Sequence, residues 1–149
     1  MPRVLIVAYG NPLRSDDGVG WAVAEELSRK LASPEVEVLQ LLQLLPELAE
    51  SVSHVDTVIF VDASCEGEPG ELRCRPVTPP PAKVQFTHQL SPAELLGLSG
   101  QLYGATPQAF CVSLTGQYFE HGEELSESVA ARLPQLASKV EQLTNQVLR

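Results

Sequence analysis

Basic residues are scarce in this chain: ten Lys and Arg stand against nineteen Asp and Glu among 149 residues, for a net charge of −9 at pH 7. Such a surface repels phosphate backbones and argues against nucleic acid as a partner; a basic or cationic partner fits better, although solubility alone could account for the charge. Cysteine is also sparse. Cys65, Cys74 and Cys111 are odd in number and show no CxxC spacing, so neither a disulfide framework nor a zinc knuckle follows, and a reduced, cytoplasmic setting is expected. No apolar run approaches a membrane span, so no membrane association is expected. The first run is too short for a signal peptide and is followed by turn residues and charges. GxSxG, HExxH and Walker A motifs are missing, and no GxGxxG follows the first strand. With 44% hydrophobic and 19% charged residues, the chain reads as one globular domain over residues 1–149.

What is present concentrates near the start, in VLIVAYGNPLRSDDGVG from Val4 to Gly20. Val4 to Ala8 is a short apolar run, β-branched in part and closed by Gly10-Asn11-Pro12, as a strand covered on both faces should be. Val19, Val23, Ala24, Leu27 and Leu31 then recur at helical spacing, with Glu25, Glu26, Arg29 and Lys30 on the other face. Asp16 and Asp17 therefore sit at a helix start, at the carboxyl end of a strand, where parallel α/β sheets bind ligands. One Asp there serves readily as an N-cap worth about 1 kcal/mol. Only one of two can be the cap, so the other is solvated or aimed at something positive.

Further along, Val36 to Leu45 opens as a strand and Pro46-Glu47-Leu48 begins a short helix to about Ser53. Thr57 to Ala63 is a buried strand ending at Asp62. After the Pro69-Gly70 turn, Glu71 to Val77 carries Arg73, Arg75 and Pro76, marks of an antiparallel edge strand. Pro76 to Pro81 is a stiff extended spacer. Ser91, Pro92 and Glu94 form a capping box for a helix to about Leu98, ending before Gly100. Ala109 to Leu114 is the last strand, and Gly116 to Glu124 a polar loop. A final helix from Ser126 carries an apolar stripe through Val129, Leu133, Leu136, Val140, Leu143 and Val147, with Pro134 expected to kink or break it. Strands alternating with helices give an α/β fold, a three-layer αβα sandwich around a mixed, mostly parallel sheet of about five strands.

Neighbouring parallel strands would bring Asp17 and Asp62 to one sheet edge, and His88 lies in the crossover before the capped helix. Two carboxylates and an imidazole can form an open shell for a borderline divalent ion such as nickel or zinc. Each residue also has an ordinary role: Asp62 can close a turn, and a lone histidine is more often a helix-entry residue than a ligand. Negative charge at the helix start argues against a phosphate ligand there, despite the dipole. Cys65, three residues past Asp62, is best read as a small buried residue rather than a soft ligand or a nucleophile paired with His88. His54 and His121 lie in polar stretches without an assigned chemical role, although His121 could reach a partner.

The run GNPLRSDDGVG, the strand-end Asp of VIFVDA, the THQLSP segment and the closing HGEELSESVAARLP resemble the hydrogenase maturation endopeptidases, in order and over nearly the whole chain. The resemblance implies a soluble α/β protease that removes a C-terminal peptide from the nickel-loaded precursor of a nickel–iron hydrogenase large subunit. It implies metal contacts from Asp17, Asp62 and His88. It further implies that the nickel is delivered on the substrate, with cadmium or zinc as substitutes in crystals. Asp16 or Asp17 is expected to activate water while metal or donor N–H groups polarise the carbonyl, an aspartic-type peptidase by family assignment. Asn11 and Gln43, or Gln40 in place of Gln43, are the candidate substrate contacts. The family's Asp-Gly-Gly-Thr-like segment after strand two is replaced by LQLLQLL (residues 39–45), so that acidic residue has no counterpart. The chain is expected to act as a monomer. A non-catalytic nickel-binding chaperone of hydrogenase assembly shares the same ligands, and a flavodoxin-like nucleotide-binding module is the third alternative.

Overall fold

Alternation along the strands sorts the apolar residues onto two faces of one sheet. Val4, Ile6 and Ala8 belong to one core cluster and Leu5 and Val7 to the other, and Ile59 and Val61 oppose Val58 and Phe60 in the same way. Both faces must therefore be covered, and helices cover them. The structure, a computed structural model, describes residues 2–84 and 89–149.

The strands are β1 (Val4–Tyr9), β2 (Val36–Leu41), β3 (Thr57–Ser64), β4 (Leu72–Pro76) and β5 (Gln108–Thr115), in the spatial order β2-β1-β3-β5-β4. All pairings are parallel except β4 with β5, so the strand rich in Arg and Pro is the antiparallel edge, as its composition predicts. Helices α1 (Val19–Lys30) and α5 (Leu133–Leu148) contribute Val23, Leu27, Leu136 and Val140 to the first cluster. Helices α2 (Leu48–Ser53) and α3 (Pro92–Tyr103) contribute Val52, Leu95 and Leu98 to the second. The three-layer αβα sandwich is the observed architecture. Among the described residues, no helix is long and apolar enough to cross a membrane.

The ends of the elements follow local chemistry. Ser91 accepts from the Glu94 N–H, and the Glu94 side chain accepts from the Ser91 N–H, so the capping box forms as its sequence predicts. Its helix does not stop before Gly100, however. It runs to Tyr103 and closes at Gly104, which has φ 71° and donates its N–H to Gly100 O. Gly100 lies inside because a Cβ there would come within 2.7 Å of Thr106 Cγ2; burial of Leu95, Leu96 and Leu98 outweighs the cost of an interior glycine, about 1 kcal/mol. The C-terminal stripe is broken as Pro134 requires, into a short helix α4 (Glu127–Ala130) followed by α5, where Pro134 occupies the first turn.

Candidate active site

The loop after β1 folds tightly because its glycines permit it. Gly10 has φ 143°, and a Cβ on it would lie 2.2 Å from the carbonyl oxygen of Asp17. Within this turn the Asn11 N–H donates to Asp17 Oδ2 at 2.7 Å, while Asn11 Oδ1 accepts from the Leu13 N–H. Asn11, expected as a substrate contact, thus spends its backbone donor on aiming Asp17. Gly20 then lets α1 settle onto the sheet, since a Cβ there would meet the Val61 carbonyl oxygen at 2.8 Å. The loop and helix together hold Asp17, half-buried, on a turn that packs against β3.

Asp16 is placed differently. It lies in a 3-10 turn (Ser15–Gly18) rather than at the cap of α1; Gly18 takes the cap position and provides no side-chain bond. The Asp16 carboxylate is fully buried and accepts from the N–H groups of Gln117, Tyr118 and Ser126 and from the Ser126 hydroxyl, all at 2.8–2.9 Å. Burial pushes its pKa up, but these donors outweigh it and hold the carboxyl below the usual range. Ser15 reinforces the same junction: its φ is 51°, and its N–H and hydroxyl bond to the carbonyl oxygens of Gly122 and Glu120. Asp16, expected as a candidate base, is occupied in fastening the loop 116–126 beneath the motif.

Asp62 ends the buried part of β3 and draws one donor from each flanking strand. The Tyr9 hydroxyl of β1 donates to Oδ2 at 2.6 Å, and the Cys111 thiol of β5 lies 3.7 Å from Oδ1. Burial raises the Asp62 pKa above its ordinary value. The Tyr9 and Cys111 bonds and the charge of Arg75 oppose that shift, and the charge of Asp17 adds to it. Asp17 and Asp62 therefore lie within one another's field, brought together from residues distant in sequence. Cys111 is buried and, by its desolvation and by Asp62, pushed up to about 12, so it stays a neutral thiol. A cavity of about 350 Å³ opens beside it, lined by Arg75, Thr78 and the start of α3 at Ser91 and Pro92.

The remaining expected residues scatter. Gln43 is exposed in the bend after β2, whereas Gln40 donates from Nε2 to the Trp21 carbonyl and fastens the edge strand to α1. His88 lies outside the described residues. Cys65 is exposed, not buried as expected, because it falls in the loop just beyond β3. His54 is exposed beside Glu50, and exposed His121 lines a cavity of about 600 Å³ over the fastened loop. The sequence reading missed Tyr9 and Cys111 as partners of Asp62. The signal was available only for Tyr9, as a polar tip at the end of an otherwise apolar strand.

The donor set suits a cation: two carboxylates share one rim, each with lone-pair positions left beyond its protein donors (one donor for Asp17, two for Asp62), and their repulsion is relieved by positive charge. Among the described residues no group of three His, Cys, Asp or Glu is placed to hold a metal ion, so the protein side of any shell drawn from them is incomplete.

No protein-family model and no curated protein sequence matches the chain. Solved structures do. The chain is similar to the hydrogenase maturating endopeptidase HybD from E. coli, with 23% identity, 97% of this chain and 93% of that one covered, and a TM-score of 0.74. It is also similar to the [NiFe] hydrogenase maturation protease HycI from Thermococcus kodakarensis KOD1, with 26% identity, coverage of 94% and 90%, and a TM-score of 0.75. HybD from Thermococcus kodakarensis gives 23% identity, coverage of 95% and 98%, and a TM-score of 0.72. The chain has the fold of these maturation proteases over nearly its full length.

Proposed function

We propose that this chain is a hydrogenase maturation endopeptidase, which cleaves a C-terminal peptide from the nickel-loaded precursor of a nickel–iron hydrogenase large subunit. The observation that carries the reading is the packing of the turn holding Asp17 against β3, near whose carboxyl end Asp62 lies, on the fold of solved proteases of that name. Two carboxylates on one end of the sheet, with exposed Arg75 as the opposing charge near Asp62, favour a client that arrives carrying a cation. Nickel on the precursor meets that requirement as part of the substrate, with His88 as the third expected contact and cadmium or zinc as substitutes.

In the proposed reaction Asp17 is the base. One of its oxygens is occupied by the Asn11 N–H; the other has no protein donor among the described residues and can accept a proton from water. The water oxygen bonds to the scissile carbonyl carbon, the carbon–nitrogen bond breaks, and the proton passes to the departing amine. Asp62 positions the metal-bearing end of the client, and the cavity beside Cys111 and Arg75 can receive adjoining peptide. Asp16 supports this chemistry from below by fastening the loop. The client's identity, the aspartic classification, the action as a monomer and the cytoplasmic setting belong to the same proposal.

The test is incubation of the purified protein with nickel-loaded and nickel-free precursor, read by mass spectrometry for C-terminal shortening. Cleavage of the nickel-loaded form alone is expected. Equal cleavage of both forms removes the role of nickel, and binding without any shortened product replaces the protease with an assembly chaperone.

A further inference from the structure

We propose that Tyr9 is the positioning residue for Asp62: its hydroxyl fixes the plane of that carboxylate so that the unshared lone pairs face the rim. This inference rests on the function proposed above and extends it to a residue outside the acidic motif. In the β1–β3 ladder Ala8 pairs with Val61, so the next residues, Tyr9 and Asp62, stand side by side on the same face of the sheet. The Tyr9 ring packs against the second core cluster, which restrains the hydroxyl from swinging away. Its 2.6 Å bond to Oδ2 lies in the range of charge-assisted bonds between a hydroxyl and a carboxylate. The Cys111 thiol, 3.7 Å from Oδ1 on the opposite strand, steadies the other oxygen more weakly.

An apolar residue at position 9 would fill the same space and leave Oδ2 of a largely desolvated carboxylate without its donor. The carboxylate could then rotate about its last bond, and the direction of its lone pairs would be lost to the site. Partners that orient a ligating carboxylate typically contribute ten- to hundredfold in affinity or rate. Because the proposed role of Asp62 is to align the metal-bearing end of the client for cleavage, the effect of misaiming its carboxylate should fall on turnover.

The test uses Tyr9→Phe, which removes one oxygen and keeps the ring. With nickel-loaded precursor, kcat is expected to fall ten- to hundredfold with KM within twofold of wild type. A second readout needs no client. In ¹³C-labelled protein the Asp62 carboxyl resonance, assigned by its loss in Asp62→Asn, is expected to move in Tyr9→Phe at constant pH while the amide fingerprint elsewhere is retained. A third needs no change at Tyr9: in the unaltered protein its hydroxyl proton should give a downfield resonance that shifts in Asp62→Asn. A kcat equal to wild type, or an Asp62 resonance indifferent to Tyr9→Phe, overturns the proposal. So does a hydroxyl proton indifferent to Asp62→Asn. If the unaltered protein cleaves no precursor, the proposed function fails, while the two resonances still decide whether Tyr9 holds Asp62.

Discussion

Asp16 and Asp17 are consecutive, yet they belong to two regions with opposite hydrogen-bond economies. Around Asp16, four donors converge on one buried carboxylate, join the motif loop to residues 117–126 and lower the acid's pKa. At the rim, Asp17 and Asp62 each hold fewer donors and repel one another, so that burial and like charge raise the pKa of Asp62. The lesson is that saturation separates a structural acid from a working one. A buried carboxylate holding four donors rigidifies its surroundings, whereas one left short of donors is able to take a cation or a proton.

The contrast can be broken at either end. The largest expected effect is on activity: Asp17→Asn or Asp62→Asn should each lower precursor cleavage by a factor on the order of 10² or more, while circular dichroism spectra stay unchanged. Next is Asp16→Ala, which strands three backbone N–H groups and a hydroxyl. It should cost on the order of 3 kcal/mol or more, seen as a melting temperature lower by about 10 °C.

A third measurement sharpens the comparison through pH. Asp16 has a folded pKa below its unfolded value of about 3.9, so its stabilisation is complete above that value and is lost as pH falls through the folded one. The resistance of the unaltered protein to urea unfolding should therefore fall below about pH 4, and the Asp16→Ala chain should show a flatter acid dependence. Asp62 has the reverse sign. Its folded pKa is raised, so ionisation opposes folding near pH 7, and that opposition fades as pH falls through the raised value. The smallest effect follows from this: Asp62→Asn should raise the melting temperature slightly at neutral pH while removing activity. A fall there would mean that the rim acid is structural, like Asp16.

Much of this was legible in residue order. Uninterrupted apolar runs marked β1 and β3 as strands buried on both faces, the Arg- and Pro-bearing strand declared itself an edge, and Ser91-Pro92-x-Glu94 specified its own cap. Each depends on neighbours within a few positions, which periodicity and capping chemistry describe. The end of α3 was misread because Gly100 signals a stop locally, whereas packing against Thr106 and burial of the helix's leucines decide otherwise. Cys65 was misread because strand β3 ends one residue earlier and leaves it in an exposed loop.

Residue order by itself determined the layered α/β architecture, the placing of an acidic pair after the first strand, and a second acid at the end of the third. Tertiary structure alone decided which member of the pair is spent on the loop 116–126, and that Tyr9 and Cys111 grip Asp62 from either side. The reason is physical: a carboxylate's role depends on how many donors reach it, and here those donors come from residues about 50 to 110 positions away, which only the folded sheet and its loops bring within bonding distance.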